Sequence, residues 1–219
     1  MVSAAPSQRD ERELIRLIRA GEKELFHELI RPHERSVYGV VHAVLPNPAD
    51  AEEVAQEAVL KAFLHLDQLT EDGRFKAWLL RIAVNEARMR RRKDRQQLYA
   101  PLEVDSSDDE AEDFRPKQFA DWRDLPPESL DKEELRASIR EAVAKLPEKY
   151  RVVFLLADAQ SLSYEEIAAT LDLSLANVKT RLHRARMKLQ EHLTPVFKPR
   201  LSDHILRLKG MNPWSRARK

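Results

Sequence analysis

Apolar residues recur every three or four positions across residues 10–98, the period of helices buried on one side. Leu14, Leu17 and Ile18 form the first stripe, with Gly21 as its stop signal, and Leu25, Phe26, Leu29 and Ile30 form a short second one. Pro32 is set to open the third helix, where its missing N–H costs nothing in a first turn. That helix carries Val37, Val40, Val41 and Val44 up to the turn Pro46-Asn47-Pro48. Asp50 opens a fourth, with Ala51, Val54, Ala58, Ala62 and Leu66 on its apolar face. After the polar loop 70–73, a fifth carries Phe75, Trp78, Leu79, Ile82 and Ala83 and runs into Arg90-Arg91-Arg92-Lys93.

The period lapses over residues 98–130, where Pro101, Pro116, Pro126 and Pro127 stand among clustered acids. Such a stretch buries too little apolar surface to offset chain entropy and reads as a flexible linker. Its aromatics, Phe114, Phe119 and Trp122, read either as docking points for a partner or as loosely packed surface residues. From Asp131 the helical period returns: Leu135, Ile139, Ala142, Val143 and Leu146, then Val152, Val153, Phe154 and Leu156, then helices over 164–171 and 175–192. The expected fold is all-α. Two small helical domains, 10–97 and 131–193, are joined by the acidic linker 98–130 and followed by a tail, 194–219.

Composition narrows the class. Four glycines in 219 residues disfavour a turn-rich β fold, and the absence of cysteine excludes disulfides and thiolate metal sites. No apolar run approaches the roughly 20 residues of a membrane span, and the first ten residues lack a signal-peptide core, so a soluble, cytoplasmic chain is expected. The net charge of +1 conceals three blocks. Residues 74–96 hold nine Lys/Arg against Glu86 and Asp94; residues 103–134 hold thirteen Asp/Glu against four Lys/Arg; residues 194–219 hold seven Lys/Arg against Asp203. Singly each reads as a solvated face. Together they suit a polyanion-binding surface interrupted by an acidic spacer.

The sharpest local signal lies in residues 163–182. Ser163 and Glu166 have the spacing of a capping box, and Asp172 stands at a tight turn where a short polar residue tolerates a left-handed backbone. Ser174 is a cap for a second helix that turns Val178, Leu182 and Ala185 inward. Asn177, Lys179, Thr180, Arg181, His183 and Arg184 are thereby expected outward. That set can contact phosphates and base edges, as the recognition helix of a helix-turn-helix does. A purely structural helix pair stays open.

These residues carry a resemblance. LSYEEIA (162–168) followed by VKTRLHRAR (178–186), with LPEKYRVVF (146–154) upstream, resembles region 4 of bacterial RNA polymerase sigma factors of the extracytoplasmic-function group of the sigma-70 family. DAEEVAQEAVLKAF (50–63) and FKAWLLRIAVNEA (75–87) resemble region 2 of the same group. The likeness covers about 10–96 and 131–192, in the family's order.

The resemblance implies a factor that binds core RNA polymerase and directs promoter recognition, DNA melting and transcription initiation at a specialised, stress-type regulon. It assigns Glu52, Glu53, Gln56 and Glu57 to polymerase binding, since with Ala51, Val54, Ala58 and Ala62 inward these residues face solvent. It assigns Asn85, Arg88, Arg91 and Arg92 to the downstream (−10) promoter element, with Asn85 as the base-reading amide. Met89 stands where some members carry a second amide, which leaves the base preference open. Phe75 and Trp78 have the spacing of core residues, with base stacking as the alternative. The recognition-helix set would read the upstream (−35) element. Implied partners are core polymerase, promoter DNA and an anti-sigma factor, often a membrane protein in this family.

No cofactor, small-molecule substrate or metal is expected: the seven histidines form no ligand-spaced pair, and neither a glycine-rich phosphate loop nor a nucleophile motif occurs. The competing readings are a free-standing helix-turn-helix regulator and a protein that sequesters a sigma factor or polymerase. The clamp-type and strand-reading helices distinguish the first reading from both. Within the tail, Ser202 can cap a short helix containing Ile205, Leu206 and Leu208. Its charge suits phosphate contacts, with a disordered end and packing onto region 4 as alternatives.

Overall fold

A computed structural model of the chain describes residues 10–97 and 132–210, with side chains over 10–94 and 137–194. The linker with its aromatics, Leu135, Arg95 and the tail side chains lie outside the described residues. Every regular element among the described residues is helical: α1 (Glu11–Arg19), α2 (Phe26–Ile30), α3 (Glu34–Val44), α4 (Pro48–Leu64) and α5 (Phe75–Gln97), then α6 (Lys132–Ala144), α7 (Glu148–Phe154), α8 (Tyr164–Leu171) and α9 (Leu175–Gly210). Short 3-10 turns precede α2 and α5, and a π turn over Leu155–Ala159 follows α7.

Side-chain caps take up orphan amides at the starts of α4, α8 and α9. Gly21 adopts φ +116° and ends the α1 segment. Helix α4 begins two residues earlier than the periodicity suggests: Asn47 accepts from the Ala49 amide at 2.9 Å, and Pro48 takes the first helical position. Pro32, expected to open α3, instead sits in the preceding turn, and His33 is the N-cap. Helix α9 runs to Gly210, so Pro195 and Pro199 do not end it.

In the first unit α3 and α4 pack on α5. Phe75, Leu79, Leu80 and Ala83 are fully buried against Val37, Val40, Val41, Ala51, Val54 and Ala58. Small residues on α4 let α5 approach closely. Phe75 contacts His33 edge-on at 5.5 Å and Trp78 at 6.2 Å, which places both aromatics in the packing rather than on a stacking platform. In the second unit Val178, Leu182, Ala185 and Leu189 of α9 join Val153, Leu156 and Ile167 in the interior.

The two units do not stand apart. Helix α8 packs on α5 and α7 packs on α3, so the buried residues of both units form one continuous cluster.

Candidate nucleic-acid and polymerase interfaces

The outer face of α4 is built as its apolar stripe dictates. Glu52, Glu53, Gln56 and Glu57 are exposed, and Gln56 donates to Glu52 at 3.1 Å. Arg90 of α5 reaches across to Glu53 at 3.1 Å and Asp50 at 3.2 Å, and these carboxylates raise its pKa. Glu53 is therefore partly neutralised within the chain. The same face continues into Leu60 and Leu64, exposed at 57% and 63%. The sequence reading passed over these two leucines, although their i, i+4 spacing outside the inward stripe was a usable signal. Two large apolar side chains thus stand exposed beside the carboxylates.

The loop before α5 is held from α1. Arg19 donates to the carbonyls of Leu66, at 3.0 Å, and Leu69, and pairs with Asp72 at 2.9 Å. Arg12 lies over Gly73, where a Cβ would come within 2.9 Å of its guanidinium, so glycine there permits the close approach. The groove beside this loop is lined by Arg12, Arg16 and Arg19 together with Asp10, Glu13 and Asp72, and its charges cancel.

On α5, Asn85 and Arg92 are exposed, whereas Arg88 and Arg91 are half-buried. Arg88 donates to the Leu171 carbonyl at the end of α8, at 3.3 Å. Its pKa is lowered by burial first and then by Arg181 and Arg92, with Asp172 opposing. Arg91 pairs with Glu148 of α7.

The helix-turn-helix is assembled by its own side chains. The Ser163 amide donates to Glu166 at 2.8 Å and the Glu166 amide to Ser163 Oγ at 3.2 Å, a complete capping box. Asp172 takes φ 57°, ψ 53°, and Ser174 Oγ accepts from the Asn177 amide at 3.2 Å. Arg186 forks onto Asp158 with bonds of 3.0 and 2.6 Å, tying α9 to the π turn.

The outward set is not uniformly outward. Lys179 is exposed, and Asn177, Arg181, His183 and Arg184 are half-buried. Thr180 departs from expectation: it is 8% exposed. At 100° per residue it lies opposite Val178 and Leu182, so its own unit's core does not explain the burial. Arg88 of α5 lies close enough to Arg181 for the two cations to repel. The periodicity did not foresee this partial burial. Among the described residues, no cluster of three or more His, Cys, Asp or Glu is set to hold a metal ion.

A helix with an exposed acidic face, a basic helix beneath a pinned loop, and a helix-turn-helix suit a modular transcription factor. Comparison with known proteins narrows it. The Sigma-70 region 2 family matches residues 29–97, and the Sigma-70 region 4 family matches 136–189. The ECF RNA polymerase sigma factor SigW of Bacillus subtilis is 32% identical over 179 residues, which is 82% of this chain and 94% of that protein. The ECF RNA polymerase sigma-E factor of Escherichia coli K12 is 31% identical over 189 residues, 84% of this chain and 95% of that one. The solved structure of CnrH in complex with the cytosolic domain of CnrY matches with TM-score 0.55 at 25% identity, covering 85% of this chain and 99% of that chain. This chain belongs to the ECF sigma factors of the sigma-70 family, transcription initiation factors that direct RNA polymerase to promoters.

Proposed function

We propose that the chain divides its work by face. The unit 10–97 docks on core RNA polymerase through Glu52, Glu53, Gln56 and Glu57, joined by Leu60 and Leu64, and reads the −10 element through Asn85, Arg88, Arg91 and Arg92. The unit 131–193 reads the −35 element through Asn177, Lys179, Thr180, Arg181, His183 and Arg184, of which Thr180 is the most buried. Residues 98–130 link the two, and 194–219 add basic charge beside the DNA. The protein is a specificity subunit and not itself an enzyme. It acts in the cytoplasm on a specialised stress regulon and is restrained by an anti-sigma factor, in keeping with the complex solved for its relative CnrH.

The observation that carries this reading is the exposed α4 surface, where carboxylates and two bare leucines adjoin. A free-standing DNA-binding regulator has no use for such a face. Carboxylates suit a basic partner helix, and the leucines supply burial worth about 25 cal/mol per Å². The test is Glu53→Lys with Glu57→Lys in a pull-down with core polymerase. Association should fall at least about tenfold, which is about 1.4 kcal/mol, with the melting temperature nearly unchanged because exposed charges contribute little to stability. Undiminished association would remove α4 from the polymerase interface.

A further inference from the structure

The segment between α4 and α5 has a fixed inner side and an exposed outer one. Leu66 and Leu69 bury their side chains in the core, whereas Thr70, Glu71, Gly73 and Arg74 are exposed. Its local bonds are few. The Gln68 amide donates to the His65 carbonyl at 2.9 Å, the Leu69 amide to Leu66 at 3.2 Å and the Arg74 amide to Glu71 at 2.9 Å. Turns of this 3-10 type have poorer hydrogen-bond geometry than an α-helix. The long-range hold comes from Arg19, at the end of α1. It donates to the Leu66 and Leu69 carbonyls and to the Asp72 carboxylate together, 47 to 53 positions away in the chain. A planar guanidinium with five donors serves three such acceptors in one fixed geometry.

Arg74, where this segment ends, is in phase with the face assigned to the −10 element. At about 100° per residue, Arg81, Asn85 and Arg92 all fall within about 20° of Arg74 around the axis of α5. All four are exposed. The stripe that runs from Arg92 through Asn85 therefore continues into the pinned segment, ending about 16 Å beyond Asn85 at about 1.5 Å per residue. Arg74 pairs with Glu71 at 2.9 Å, but both side chains are more than half exposed, and such a pair yields to a phosphate at little cost.

We propose that Arg19 is a positioning residue for −10 reading: it holds segment 66–74 so that Arg74 stands in line with Asn85 and meets the backbone of the same unpaired strand. Arg19 acts through Arg74 and makes no DNA contact of its own. The inference rests on the assignment of Asn85 and its neighbours to the −10 element.

The test uses the full chain assembled with core polymerase. The probe is a fluorescent DNA duplex of random sequence with an unpaired bubble, and a fully paired duplex is the control. Arg74→Ala should weaken bubble binding about tenfold, and Arg19→Ala about as much, with the paired duplex bound as before. In the Arg19→Ala background, Arg74→Ala should cost less than about twofold, because a misplaced contact has little left to lose. Each single variant should lower the salt slope of bubble binding by about 0.7, one single-strand phosphate, and the double variant by no more. Asp72→Ala separates position from charge. Removing a carboxylate beside the strand favours binding by charge alone, whereas losing one of three tethers should weaken it about threefold. Arg19→Lys, which keeps the charge without the fork, should recover part of the affinity and extends the test should Arg19→Ala fold poorly. Amide exchange in Arg19→Ala should quicken at Gln68, Leu69 and Arg74 and stay unchanged in the middle of α5.

Additive losses in the double variant, or tighter binding by Asp72→Ala, would reduce the effect to charge and overturn the positioning role. So would unchanged exchange in Arg19→Ala, or full-strength bubble binding by a chain whose exchange has quickened. Asn85→Ala tests the assignment beneath. If it binds the bubble weakly while Arg19→Ala binds normally, only the positioning role fails. If it too binds like the wild type, the −10 assignment fails and takes the positioning role with it.

Discussion

Helices α4 and α9 follow the same construction and end in different situations. Each buries a stripe of small and aliphatic residues, Ala51, Val54, Ala58 and Ala62 in one, Val178, Leu182, Ala185 and Leu189 in the other. In each, geometry turns the polar complement away from that stripe. On α4 the complement is bare, down to two exposed leucines. On α9 it is half-covered, with Thr180 nearly inaccessible. The difference lies in what arrives from elsewhere. Helix α4 packs against α3 and α5 on its inward side, whereas α9 is contacted by α6, α7 and α8. Amphipathicity says which side of a helix is not its own core, and says nothing of whether that side meets water.

The strongest way to break this comparison is to ask whether the two units share one core. Phe75→Ala in the first unit should cost about 3–5 kcal/mol, and Ile167→Ala in the second about 2–5. Because their buried clusters are continuous, both variants should lower a single calorimetric transition. Two transitions, each moved by only one substitution, would mean that the units unfold independently.

Next comes the anchoring of α9. The Asp158 side chain is 3% exposed and holds Arg186 by two bonds, while Arg186 itself is 43% exposed. Asp158→Ala should destabilise the second unit by about 1.5–3 kcal/mol, the range for hydrogen bonds to charged groups, since the freed guanidinium can still reach water. Denaturant midpoints check it, and a change below a few tenths would mean that packing alone seats the helix.

For DNA, Arg184→Ala measured in the assembled polymerase holoenzyme should weaken −35 binding by about 1–3 kcal/mol with an altered sequence preference. A loss that is uniform across sequences would make Arg184 a phosphate contact. The smallest effect is expected at the capping box. Ser163→Ala should cost about 0.5–2 kcal/mol in thermal stability and leave polymerase docking untouched, because α4 lies in the other unit.

Much of the candidate site was legible because its signals are local. The capping box at Ser163 and Glu166, the left-handed turn at Asp172 and the cap at Ser174 each depend on a few neighbouring residues, and all three form. The burial of Phe75, with a tilted Trp78 against it, follows from helical period alone. The start of α4 was misjudged because the apolar stripe begins inside the helix, while its true beginning is set by Asn47 and Pro48, which carry no hydrophobic signal. Leu60 and Leu64 were missed for the opposite reason: an apolar residue off the inward stripe looks like noise until its exposure is measured.

What the amino-acid order determined by itself is the set of helices, their caps, their buried faces and the family to which the motifs belong, since each rests on contacts within about one or two helical turns. The tertiary structure alone decided the pairing of Arg151 with Ala43, Lys76 with Gln160 and Arg88 with Leu171, across 108, 84 and 83 residues of chain. No periodicity encodes such contacts, because a lysine or arginine on a polar face looks the same whether it meets water, a phosphate or the end of another helix. Which of these it meets depends on how two separately legible units come together in space.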